Sequence, residues 1–399
     1  MSKVSERACN PVSLAELQRR WAAVHETMES TGIDAIVVQG SNNAVGGGAY
    51  ARWFSGSSAF SSQPQAIIFP KKGLMTSVTH GPLNDRLVSD GENPDYPGVG
   101  LRLSTPSFPS VGYTGRYDAE LLAGEIKRNG FRKVGLVGAN NMYYGPIALL
   151  KEMSSTVGFV DCTDQIDRLA AIKSPEEIVF IRRTAELQDE VFRKVRGHIR
   201  PGMRDFEVMA YAQYVGQLLG SETGYYLGGS AQPGSPLGHR TRPQQGRTIR
   251  EDDAFLWQAE TTGPGGYFVH IARIFSLGKA PAALVDKYAE LVEAQKQTIK
   301  LLKPGSMCRD IFREYNVYMR SRGLPEETRL HCHGQGYPSV ERPLIRDDET
   351  MAIAPNMNIG IHPSVASREI FVTVCDNFLT HADGSVERLH KSSQEIVEL

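Results

Sequence analysis

The segment Leu169 to Leu187, LAAIKSPEEIVFIRRTAEL, divides the chain into two stretches of different pattern and so limits the folds open to it. Ser174 is placed to cap a helix, Pro175 suits the first helical position, and Glu176 and Glu177 complement the exposed amides of the first turn. Ile178, Ile181 and Ala185 line one apolar face of that helix. Before the junction, helical and strand patterns alternate. Leu17, Trp21, Val24 and Met28 recur at helical spacing, with Ser13 as the expected cap and Gly32 as the stop. Residues 33–38 (IDAIVV) and 133–138 (KVGLVG) have the pattern of buried strands, and a helix is expected over 119–129. Residues 65–69 and 74–79 read as a hairpin across Pro-Lys-Lys-Gly. After the junction, helices expected over 205–219, 281–302 and 308–322 are interleaved with strands over 254–258, 267–275, 358–361 and 371–374. The expectation is an α/β N-terminal domain over residues 1–165 and an α+β C-terminal domain over 166–399, with helices packed on an antiparallel sheet.

A chain of 399 residues is long enough for two such domains. Lys and Arg (44) nearly cancel Asp and Glu (45), so no polybasic surface points to a nucleic acid or a membrane as partner. The five cysteines, Cys9, Cys162, Cys308, Cys332 and Cys375, are odd in number and contain no CxxC pair, which fits a reducing compartment. No signal-like apolar core opens the sequence and no run of about 18 apolar residues occurs in it, so a cytoplasmic location is expected. Gly46-Gly47-Gly48 neither follows a strand directly nor precedes Lys-Ser/Thr, and it reads as a flexible loop rather than a phosphate cradle.

The junction, together with several later motifs in matching order, resembles the creatinase, prolidase and aminopeptidase P family (peptidase family M24). Pro201-Gly202-Met203 with Glu207 is similar to the family's turn into its second helix. The run Gly266-Tyr267-Phe268-Val269-His270-Ile271-Ala272-Arg273 is similar to its Gly-Tyr-x-x-Asp-x-x-Arg strand, and His333-Gly334-Gln335-Gly336 to its His-Gly-x-Gly loop. MNIGIHP (357–363) and Val374-Cys375-Asp376 resemble its last two strands. The resemblance implies a creatinase-like α/β domain followed by a pita-bread domain, assembled as a homodimer.

It also implies a site. Peptidase members hold two divalent metals on Asp, Asp, His, Glu and Glu, because two close cations that activate a bridging water need hard, charged ligands. Carried over, those positions fall on Ala259, His270, His333, His362 and Cys375. A cage without those carboxylates does not suit a dinuclear Mn or Co centre, so a classical Xaa-Pro peptidase is not expected. His and Cys suit one borderline-soft ion, Zn or Fe, or a metal-free imidazole pocket of the creatinase kind.

His239 resembles in position the family's proton-transfer His, and imidazole chemistry suits that task near neutral pH. Glu260 is a candidate base or an anchor for a cationic group, and Glu341 is placed to orient His333 through a hydrogen bond. His331 alternates with His333 across Cys332 and is a weaker candidate behind the site. Trp53, Phe54 and Phe60, near a loop over 43–61, are either core aromatics or contributions to a partner subunit's pocket. The expected function is hydrolysis of a C–N bond in a small polar metabolite by His239, His333, Glu260 and Glu341. His270, His362, Cys375 and His331 would bind substrate, and His270, His333, His362 and Cys375 would hold one ion if any is held. A single-metal lyase or decarboxylase and a non-catalytic binding module are the alternatives.

Overall fold

The structure is a computed structural model that describes residues 11–40, 49–58, 63 and 65–399. The Gly46-Gly47-Gly48 triplet, Phe60 and much of the 43–61 loop lie outside the described residues. Two compact units are present, and their boundary falls between Ala170 and Ala171.

In the first unit the helix Leu14–Thr31 starts where Ser13 accepts a hydrogen bond from the Glu16 amide, and it stops at Gly32, whose φ of 66° is cheap only for glycine. A seven-stranded sheet follows, ordered Asp85–Val88, Val99–Thr105, Met75–His80, Gln65–Pro70, Ala35–Gly40, Lys133–Val137, Gly158–Asp161. The expected hairpin is present, with Ala66 opposite Val78. Ala35–Gly40 pairs antiparallel with one hairpin strand and Val99–Thr105 parallel with the other, and parallel pairs continue to Lys133–Val137 and Gly158–Asp161, which makes the sheet mixed. Trp53 and Phe54 are 5% and 0% exposed. The Arg20 guanidinium lies over the Trp53 ring and Phe54 packs edge-on against Phe69. These two aromatics are buried in their own unit, as the core reading expects.

The second unit is the α+β half. The helix Pro175–Arg196 opens with the anticipated capping box between Ser174 and Glu177. Its buried face is broader than the predicted stripe and runs through Phe180, Ile181, Thr184, Ala185, Gln188 and Val191, while Ile178 is only half-buried. The helices Asp205–Leu218, Ala282–Leu301 and Cys308–Ser321 fall within a residue of expectation. A four-stranded sheet orders Val397–Glu398, Phe268–Ser276, Ala254–Thr262 and Gly224–Ala231. A five-stranded sheet orders Glu341–Leu344, Cys332–Gly334, Asn358–Ile361, Asp376–Thr380 and Val386–Arg388.

The two sheets are joined where Ala272 bridges Cys375. Beside that bridge the fully buried Arg273 donates to Asp376 Oδ1 at 2.6 Å and to the carbonyls of Ala272, Cys375 and Ser393. A second stitch is a buried amide network. Asn377 donates to Gln335 at 2.7 Å and to Asn358 at 2.8 Å, and its Oδ1 accepts from the His270 amide at 2.9 Å. The Arg273 guanidinium and the Asn377 carboxamide are each held by several hydrogen bonds, which is what permits their burial.

Candidate metal and catalytic site

His270 lies on the strand Phe268–Ser276, His333 on Cys332–Gly334, and His362 directly after Asn358–Ile361, where its amide donates to the His331 carbonyl at 2.8 Å. Their rings come from both sheets and meet at one place. Centroids are 5.2 Å apart for His270 and His333, 5.3 Å for His270 and His362, and 5.0 Å for His333 and His362. One nitrogen from each ring lies within 4.8 Å of the others. The convergence expected of these three residues is present.

The donor chemistry fits a cation. His333 Nδ1 lies 2.9 Å from the Gly334 carbonyl oxygen, an arrangement that puts the proton on Nδ1 and leaves the Nε2 lone pair for the centre. Both ring nitrogens of His270 are buried without a hydrogen-bond partner. An orphaned buried imidazole is costly in itself, and a cation or substrate at the centre would relieve it. Burial, followed by the charges of the neighbouring imidazoles, pushes His333 down to about 4 and His362 well below its ordinary value. Neutral imidazole is the form that ligates.

Glu260 brings a carboxylate to this centre. The strand Ala254–Thr262 runs past Gln258 to Thr262, and its pairing sets Glu260 opposite His270 and Ala259 opposite Ile271. Side chains alternate along a strand, so Ala259 turns into the apolar cluster with Trp257 and Ile271 while Glu260 faces the imidazoles. Glu260, one residue past the position carried over to Ala259, is thus a carboxylate that faces the imidazoles among the described residues. Glu260 Oε1 lies 3.7 Å from His270 Nδ1, accepts from Gln258 at 2.9 Å, and Oε2 accepts from the Tyr225 hydroxyl. Burial alone would raise its pKa, but His270 and Tyr225 outweigh that and hold it at about 2. His239 is exposed, packs edge-on to Phe371 at 4.9 Å, interacts with Gln258 and feels the Glu260 charge.

Three expectations fail. Cys375 does not join the group of converging donors. Its Sγ contacts the His270 carbonyl at 3.5 Å inside the apolar cluster with Ala272 and Val374, and burial raises its pKa well above that of a free thiol. Glu341 forms an ion pair with the nearly buried Lys173, and the bond that His333 makes goes to its neighbour's carbonyl instead. His331 is turned away, stacked on Tyr315 at 3.6 Å with Nε2 3.3 Å from the Thr298 hydroxyl. Tyr225, Gln258 and Lys173 were not singled out from the sequence. Alternation would have paired Gln258 with Glu260 on one face, whereas nothing local marks Tyr225 or Lys173.

Comparisons with known proteins agree with this architecture. The model of metallopeptidase family M24 matches residues 180–382. The Xaa-Pro dipeptidase of Pyrococcus furiosus is 24% identical over 288 residues, which is 68% of this chain and 77% of that protein. The ectoine hydrolase of Halomonas elongata is 23% identical over 249 residues, 58% of this chain and 60% of that protein. Among solved structures, the X-Pro aminopeptidase of Thermotoga maritima superposes with a TM-score of 0.78 at 16% identity, covering 95% of this chain and 99% of that one.

Proposed function

The chain belongs to metallopeptidase family M24, and from that premise we propose that it hydrolyses a C–N bond of a small polar metabolite at a site holding at most one transition-metal ion. The observation that carries the reading is the donor set, three converging imidazoles with Glu260 as the carboxylate facing them. Two bridged cations would leave excess positive charge on such ligands, whereas one Zn or Fe ion is matched by them. His270, His333 and His362 would hold the ion, which when bound supplies Lewis-acid polarisation.

The chain's own residues do the rest. Glu260, kept ionised by Tyr225 and His270, orients a donor group or a cationic portion of the substrate. His239, beside Gln258 and the Glu260 charge, takes the proton of the attacking water as it adds to the carbon and returns it to the departing nitrogen as the C–N bond breaks. The relative named ectoine hydrolase supports a non-peptide substrate on this fold.

Elemental analysis of the purified protein, paired with amine-release assays on small amides and amidines and on Xaa-Pro dipeptides, tests the reading. It expects no more than one transition-metal ion per chain and turnover of a small amide or amidine. Two ions per chain, or efficient Xaa-Pro cleavage, would overturn it.

A further inference from the structure

A second site lies in the first unit, where the parallel neighbours Met75–His80 and Val99–Thr105 end together. Crevices at the carboxyl ends of strands are where open α/β sheets bind ligands. Here a cavity of about 190 Å³ is lined by His80, Ser107, Phe108, Asp118, Tyr143 and Tyr144, with Pro109, Val111 and Pro146 completing its wall. Phe108, Tyr143 and Tyr144 are 42%, 39% and 87% exposed, a concentration of aromatic surface with no role in the core.

The wall is held in place. The Phe108 amide donates to the Thr114 hydroxyl at 2.9 Å, and His80 meets the Phe108 ring edge-on at 4.8 Å. His80, Ser107 and Asp118 are the residue types of a hydrolytic triad, but their bonds run the wrong way for one. The Ser107 hydroxyl donates to Asp118 Oδ2 at 2.7 Å, and His80 Nδ1 lies 3.1 Å from the Ser107 carbonyl oxygen. Among the described residues no imidazole is set to take the hydroxyl proton, so the arrangement serves binding rather than chemistry.

The charge pattern selects the ligand. Asp118 is half-buried, its Oδ1 has no hydrogen-bond partner among the described residues, and no Lys or Arg lines the cavity. Burial raises its pKa, as expected of a carboxylate short of positive neighbours. Aromatic faces around a carboxylate attract organic cations, whose alkyl groups meet the rings while the charge is met below. We propose that this cavity binds a small substituted ammonium ion, with Phe108, Tyr143 and Tyr144 around its alkyl groups and Asp118 as counter-charge. The cavity belongs to the first unit and the imidazole centre to the second, and the assignment does not depend on the reaction performed at the imidazoles.

Calorimetric titration of the full chain with choline, with its neutral isostere 3,3-dimethylbutan-1-ol, and with inorganic phosphate tests the assignment. Choline should bind saturably, at least ten-fold more tightly than the isostere, and Asp118→Asn should weaken it at least ten-fold. Tyr144→Ala should weaken it several-fold. This change at an exposed ring keeps the test decisive should Asp118→Asn disturb folding. Equal binding of choline and the isostere, preference for phosphate, indifference to both variants, or no saturable binding would each overturn the proposal.

Discussion

Gly360 lies directly against the His270 imidazole: a β-carbon at position 360 would stand 2.2 Å from Nε2. The two residues belong to different sheets, so the absence of a side chain on one strand makes room for the donor on the other. Gly360→Ala should displace the ring while leaving the strand intact. Zinc affinity measured by chelator competition is expected to fall at least about ten-fold, in line with the usual cost of disturbing a ligand's surroundings, with the melting temperature little changed. Unaltered affinity would show that His270 is not a ligand.

Tyr225→Phe removes a donor to an ionised carboxylate. Such a bond contributes about 1.5–3 kcal/mol, so turnover on an identified substrate should drop roughly 10- to 100-fold. Glu260→Gln should cost at least as much, and a Tyr225 variant at full activity would remove this bond from the mechanism.

Arg273 and Asp376 are both fully buried and bonded at 2.6 Å. Asp376→Ala strands the guanidinium without its counter-charge, and a loss of about 3–5 kcal/mol in urea unfolding is expected. A loss below about 1 kcal/mol would mean that the carbonyl bonds of Arg273 suffice.

His331 is buried and held neutral, its pKa pushed down to about 3 by desolvation. In the unfolded chain it titrates near pH ~6.5. Between those values the unfolded state takes up a proton that the folded state refuses, so stability falls as pH drops through that window. This one group contributes a slope of about 1.4 kcal/mol per pH unit. Urea midpoints collected across the window should flatten by that amount in His331→Phe, which keeps a ring against Tyr315. An identical slope in the variant would assign the acid sensitivity elsewhere.

The homodimer implied by the resemblance predicts a light-scattering mass of twice the 43.9 kDa chain at micromolar concentration. A mass equal to that of one chain would refute it.

Much of this architecture was legible because local signals agreed. Ser174, Pro175 and Glu177 mark one helix start in three independent ways, and the capping box is there. The three imidazoles were legible through motifs that surround each of them. Glu260 was harder to place because Ala259-Glu260-Thr261-Thr262 lacks the apolar run that marked residues 254–258, and only cross-strand pairing carries the strand onward. Lys173 and Glu341 are far apart in sequence, and an ion pair of that kind leaves no periodic trace. Cys375 occupies a motif position but bridges Ala272 through its backbone, which leaves its sulfur among apolar neighbours. Backbone pairing decided these outcomes, and it is the level at which a motif says least.

Delivery of the imidazoles from two sheets means that anything gripping all three acts as a fastener across the seam. A ligand that binds only the folded form raises stability with its concentration, by about 2.7 kcal/mol at a hundred times its dissociation constant. Resistance to heat thereby becomes a signal of occupancy, and melting curves recorded against a library of ions and metabolites would identify what the centre holds before its reaction is known.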